Sequence, residues 1–194
     1  MPNVVGEANT ALIILAGGKA TRFPGKLQRP IGDIPMLVRT YCNVKGRYRT
    51  YIGLSSDSDP AATLQFDAEI LFDRTPFGGP LAALVHAFEN VREPRVFVVA
   101  GDMPFVQAET LSEILKHWKS GDEAVVALER TDKPQPLLAL YDRAAFVRAA
   151  ASLPLVSNGV KDVLPHLRWR GVALREPSVM TNINTEDQYR AVTA

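Results

Sequence analysis

The segment RVFVVA at residues 95–100 is apolar on both of its alternating faces and stops at Gly101-Asp102. Such a strand is stable only when covered on both sides, as in the interior of a sheet flanked by helices. Further apolar runs have strand character at residues 11–15, 50–54, 69–72, 124–128, 137–141 and 171–174. Between them, residues 35–44, 79–88, 108–118 and 143–151 carry helical spacing. The alternation predicts an α/β fold with a mostly parallel sheet and helices on both faces. Prolines and glycines at residues 24–25, 76–80, 134–136 and 154 read as loops within it. Without a repeat, a low-complexity tract or a linker, residues 1–194 read as one domain, and 46% hydrophobic content is enough to fill its core.

Charge and cysteine content narrow the function. Lys plus Arg is 22 against 21 for Asp plus Glu, so there is no concentrated basic face for long nucleic acid, whereas a single nucleotide stays open. Cys42 is the only cysteine, which excludes a disulfide within the chain and a cysteine-based zinc site. No apolar run reaches the roughly 18 residues of a membrane span. The N-terminus MPNVVGEAN lacks the pattern of a signal peptide. The expectation is a reducing, cytoplasmic setting without membrane contact.

In open α/β sheets, ligands bind at the carboxyl ends of the strands, and three informative stretches fall at such ends. The first is LAGGKATRFPGK, residues 15–26. Gly17 and Gly18 let backbone N–H groups turn inward, and Lys19, Arg22 and Lys26 can converge on one polyphosphate. The same residues also suit a solvated basic turn, and the spacing matches neither GxGxxG nor GxxxxGK[ST]. The second is Asp102, placed to hold Mg²⁺ beside substrate phosphates or simply to cap a turn. The third is residues 72–84, FDRTPFGGPLAAL. There Gly79 lets a ring or ribose approach the backbone, and Asp73 is either a turn residue or a partner for a base edge or sugar hydroxyl. Near the C-terminus, TNINTEDQYR combines a helix cap at residues 185–187 with Asn182 and Asn184. Those two asparagines alternate, so one of them can face the crevice with an amide oxygen suited to a metal.

Five words in order, LAGG(x)₃R(x)₃K at residues 15–26, GGPLAAL at 78–84, VAGDMPF at 99–105, QPLLALY at 135–141 and NINTEDQY at 182–189, resemble the MobA-like molybdenum cofactor guanylyltransferases of the NTP-transferase superfamily. The resemblance implies a Rossmann-like nucleotidyltransferase domain that moves GMP from GTP to molybdopterin with release of pyrophosphate. It assigns Arg22 and Lys26 to the phosphates and puts Leu15, Ala16, Gly17, Gly18 and Asp73 at the border of base and ribose. Gly79 is expected in the same nucleotide site, as is Ser55, which with Ser56 stands where the guanylyltransferases often carry an Asn that contacts the base. Asp102 would hold Mg²⁺, and Asn184 would complete the metal site. The word LAGG rather than LAAG leans toward GTP over CTP. Arg22, Lys26 and Asp102 are then the catalytic set, and transient cofactor-maturation proteins are the expected partners.

Such a reaction needs no protein base, because a phosphate monoester is already largely ionised near neutral pH. His86, His117 and His166 accordingly read as surface or packing residues. Lys133, Asn158 and Lys161, in segments 131–136 and 157–162, either greet an anionic acceptor or are solvated loop residues. Two other functions fit the same residues: a sibling enzyme using CTP or another nucleotide with a sugar phosphate or other small phosphorylated acceptor, and a nucleotide binder without transfer activity.

Overall fold

A computed structural model describes residues 9–17, 23–55, 58, 65–73, 78–129, 132–155 and 159–193. Seven strands form one sheet: β1 (Thr10–Leu15), β4 (Arg49–Leu54), β5 (Glu69–Phe72), β6 (Arg95–Ala100), β7 (Ala124–Leu128), β8 (Pro134–Asp142) and β9 (Trp169–Ala173). Two short strands, β2 (Pro30–Ile31) and β3 (Ile34–Pro35), pair separately as a hairpin. The sheet order is β5-β4-β1-β6-β8-β7-β9, and β8 alone runs antiparallel to its neighbours. The chain builds outward from β1 through β4 to β5 and then returns to lay β6 on the other flank of β1. That reversal opens a crevice at the carboxyl ends of β1, β4, β5 and β6.

Alternation along the central strands sends side chains to two opposite cores. Leu12, Ile14, Phe97 and Val99 pack with Leu37, Tyr41 and Val44 of α1 (Met36–Val44) and with Leu111 and Ile114 of α3 (Ala108–Lys116). Ala11, Ile13, Val96 and Val98 pack instead with Leu81, Leu84 and Phe88 of α2 (Gly79–Asn90) and with Phe146 of α4 (Arg143–Ala150). The helices start where local chemistry favours it. Pro80 sits in the first turn of α2. Gln107 and Thr110 form a reciprocal cap on α3, with Glu109 in its first turn as expected. Asp142 accepts a hydrogen bond from the Ala145 N–H to cap α4.

The strands and helices fall within a few residues of the sequence expectations, with one correction. Pro134 and Pro136 belong to β8 rather than to a loop: Leu128 pairs with Pro134, and the register then shifts between Val126 and Ala127. An irregular strand end tolerates residues without an N–H, which is why the prolines do not break the strand. Cys42 is exposed on α1. Among the described residues, no helix is long and apolar enough to cross a membrane.

Candidate active site

The ends of β1 and β6 are drawn together at the crevice. Gly101 donates its N–H to the Leu15 carbonyl at 2.9 Å. A Cβ on Gly101 would lie 3.1 Å from Leu37 Cδ1 and 3.2 Å from Ala16 Cβ, so a side chain there would crowd α1 and the end of β1. The Thr40 hydroxyl, fully buried on α1, lies 3.1 Å from the Gly101 carbonyl and braces it from below. Asp102 follows at once and is thereby fixed at the crevice floor.

Lys26 reaches the same point from the first loop. Gly25 adopts a left-handed conformation (φ +68°) and opens a single 3₁₀ turn, Lys26–Gln28. The Lys26 ammonium forms an ion pair with Asp102 Oδ2 and donates to Asn184 Oδ1 at 2.7 Å. Both members of the ion pair are only 14% exposed. The second Asp102 oxygen, Oδ1, is buried without a hydrogen-bond partner. Asn184 is set by the backbone on one side, where the Ile183 N–H donates to the Asp102 carbonyl at 3.1 Å. On the other side its own N–H donates to Gln188 Oε1 at 2.7 Å, and Gln188 donates its N–H to Thr185 Oγ1 at the start of α5 (Glu186–Thr193). Of the two alternating asparagines, Asn184 faces the crevice. The Asn182 side-chain oxygen is buried elsewhere without a partner.

The opposite side of the crevice is built around Gly17. A Cβ there would meet Asp73 Oδ2 at 3.0 Å and the Ser55 backbone nitrogen at 3.1 Å, so glycine is what lets the ends of β1, β4 and β5 approach. The Asp73 N–H donates to the Leu54 carbonyl at 2.9 Å, which ties that strand end to its neighbour. Burial holds the Asp73 carboxyl above its ordinary pKa, with the charge of His86 pulling weakly the other way.

Leu15, Ala16, Gly17, Ser55, Asp73, Lys26, Asp102 and Asn184 thus line or support one crevice. Gly79 opens α2 in a left-handed conformation and is exposed. Gly18, Lys19, Arg22, Ser56 and Asn158 lie outside the described residues. Lys133 and Lys161 are exposed. His86 and His117 bond locally to Asn90 and to the Glu113 carbonyl, and His166 is exposed. Sequence reasoning missed Thr40, which holds the Gly101 carbonyl from α1, and it missed Phe23, Arg29 and Tyr189, whose side chains meet beside the Lys26 turn.

Among the described residues, no group of three or more His, Cys, Asp or Glu side chains is placed to hold a metal. A carboxylate and an amide oxygen aimed at one cationic point, with a further carboxylate oxygen unpartnered, form the kind of incomplete oxygen set that Mg²⁺ finishes with water and substrate phosphates.

A family model for the MobA-like NTP transferase domain matches residues 12–170. The chain belongs to this family. A probable molybdenum cofactor guanylyltransferase of Aquifex aeolicus is 23% identical over 193 residues, 98% of this chain and 92% of its own. Another, of Carboxydothermus hydrogenoformans, is 25% identical over 189 residues, 93% of each chain. Molybdopterin-guanine dinucleotide biosynthesis protein A from Archaeoglobus fulgidus superposes with a TM-score of 0.78 at 22% identity, covering 94% and 96% of the two chains. As a MobA-like NTP transferase the chain is a nucleotidyltransferase, and the strand-end crevice is the part of its fold where Lys26, Asp102 and Asn184 meet.

Proposed function

We propose that the protein transfers GMP from GTP to the terminal phosphate of molybdopterin in the molybdenum cofactor, releasing pyrophosphate. Relatives over nearly the full chain that are named as guanylyltransferases support this substrate pair. The observation that carries the chemistry is the Lys26 ammonium shared between Asp102 and Asn184. It gathers a cation and two oxygens of the metal-binding kind at the strand-end crevice, an arrangement suited to a triphosphate.

In this reaction an oxygen of the acceptor phosphate attacks the α-phosphorus of GTP. The bond from that phosphorus to the bridging β-oxygen breaks, and its electron pair leaves with pyrophosphate. The acceptor's second pKa is about 6, so the nucleophile is ionised without help, and the histidines need no part. Lys26 orients the phosphates and neutralises charge on them, and Arg22, outside the described residues, adds a second cation. Asp102 and Asn184 would hold Mg²⁺, which supplies charge neutralisation at the phosphate oxygens. Gly17, Ser55 and Asp73 shape the recess for base and ribose, and the Asp73 carboxylate suits a donor edge such as that of guanine.

The single cysteine suits a reducing cytoplasm, where transient partners would deliver the pterin. Pyrophosphate release from GTP, Mg²⁺ and molybdopterin tests the reading. Release with GTP well above that with CTP, UTP or ATP supports it. Preference for another nucleotide replaces the donor, and nucleotide binding without release reduces the protein to a binder.

A further inference from the structure

We propose that helix α5 is a positioning brace for the active site, with Tyr189 and Glu186 holding the Lys26 loop so that its ammonium meets Asn184 and Asp102. The proposal rests on the reading of those three residues as the phosphate and metal site.

Neither Lys26 nor Asn184 sits on the sheet. Lys26 is on one isolated turn, and Asn184 is in an irregular stretch. What joins their two segments is a third, small apolar cluster. Phe23, Ile31, Met36 and Ile183 are buried in it, and Tyr189 and Val192 of α5 pack against them. The rings of Phe23 and Tyr189 are 5.7 Å apart in a tilted arrangement. The Arg29 guanidinium lies 5.3 Å from the Phe23 ring centre and 5.6 Å from that of Tyr189, and it pairs with Glu186 at 3.0 Å. The Tyr189 hydroxyl donates to the Pro30 carbonyl. These contacts span residues 23 to 30 on one side and 183 to 189 on the other, bracketing Lys26 and Asn184.

The helix has little else to do. None of its residues is fully buried, and neither of the two large cores that hold the sheet includes a residue of α5. Its apolar contacts go to the small cluster of Phe23, Ile31, Met36 and Ile183, which flanks the turn that carries Lys26. Loosening them should therefore reach the nucleotide site while leaving the sheet intact.

The test measures calorimetric affinity for Mn²⁺·GTP, together with melting temperature, in wild type, Tyr189→Ala, Tyr189→Phe and Glu186→Gln. The brace predicts at least tenfold weaker binding by Tyr189→Ala with melting within a few degrees of wild type. It predicts that Tyr189→Phe, which keeps the ring, recovers most of that loss. Glu186→Gln separates the brace from simple electrostatics: removing an acid near a triphosphate tightens binding by Coulomb's law, whereas a loosened brace weakens it two- to threefold. Binding by folded Tyr189→Ala equal to wild type, or tighter binding by Glu186→Gln, overturns the brace alone. A wild type that binds no Mn²⁺·GTP removes the site itself, and the proposal with it.

Discussion

Lys26 and Asn184 stand 158 positions apart in the chain, yet the ammonium of one donates to the side-chain oxygen of the other at 2.7 Å. Asp102, from the end of β6, pairs with the same ammonium. Three segments without a shared strand thus converge on one cationic point, and the consequences can be measured at each of them.

Removing either charge of the pair should disable transfer. Asp102→Ala and Lys26→Ala are each expected to lower turnover at least a hundredfold, matching the roughly 2.7–4 kcal/mol that one such contact supplies in comparable electrostatic sites. Initial rates of pyrophosphate release with circular dichroism of the same samples check this. Wild-type rates from either folded variant would remove these residues from the chemistry.

Lys26 also occupies the oxygens that a metal would use. Without nucleotide, Mn²⁺ should therefore raise the melting temperature of Lys26→Met more than that of wild type, because the variant no longer competes for Asp102 and Asn184. Metal at a hundred times its Kd stabilises by about 2.7 kcal/mol, which thermal scanning resolves easily. Equal shifts in the two proteins would show that lysine and metal use different oxygens.

Much of this arrangement was legible in the sequence, for identifiable reasons. RVFVVA announced a strand covered on both faces because β6 pairs with β1 on one side and β8 on the other between two helical layers. The strand-end positions of Gly17, Asp73 and Asp102 were legible because each lies just past a run that reads as a strand, β1, β5 and β6. The prolines of β8 were misread because they lie where the register slips, a property of the pairing with β7 and of no local word. The meeting of Phe23 and Arg29 with Tyr189 was illegible for the same reason: the partners are more than 150 positions apart, and even Tyr189, within the word NINTEDQY, looks locally like an ordinary helix residue.

Gly17 has a sharper requirement than conformational freedom. Its missing Cβ leaves room for Asp73 Oδ2 and for the backbone of Leu54 and Ser55, and backbone cannot rotate aside. Gly17→Ala is expected to weaken nucleotide binding at least tenfold and to cost about 1–3 kcal/mol of stability through overpacking. Denaturant unfolding and nucleotide titration read the two effects separately. Unchanged affinity would place the nucleotide away from the ends of β1 and β4.

Asp73 gives a prediction in pH. Burial raises its pKa above the ordinary 3.8, so its contribution to stability is fully present below 3.8 and is lost as pH rises through the folded-state value. Asp73→Asn should therefore melt above wild type at pH 7, with the difference shrinking toward zero as pH falls below 3.8. The same substitution should weaken nucleotide binding, the trade expected when a site holds a destabilising group for function. A variant that melts below wild type at pH 7 would contradict the assignment.

The most direct test is calorimetric titration of GTP, CTP, UTP and ATP, each with Mg²⁺, into wild type and Lys26→Ala. The account predicts preferential binding of GTP by wild type and its loss in the variant. Absence of nucleotide binding by wild type, or GTP binding that survives in Lys26→Ala, would contradict it.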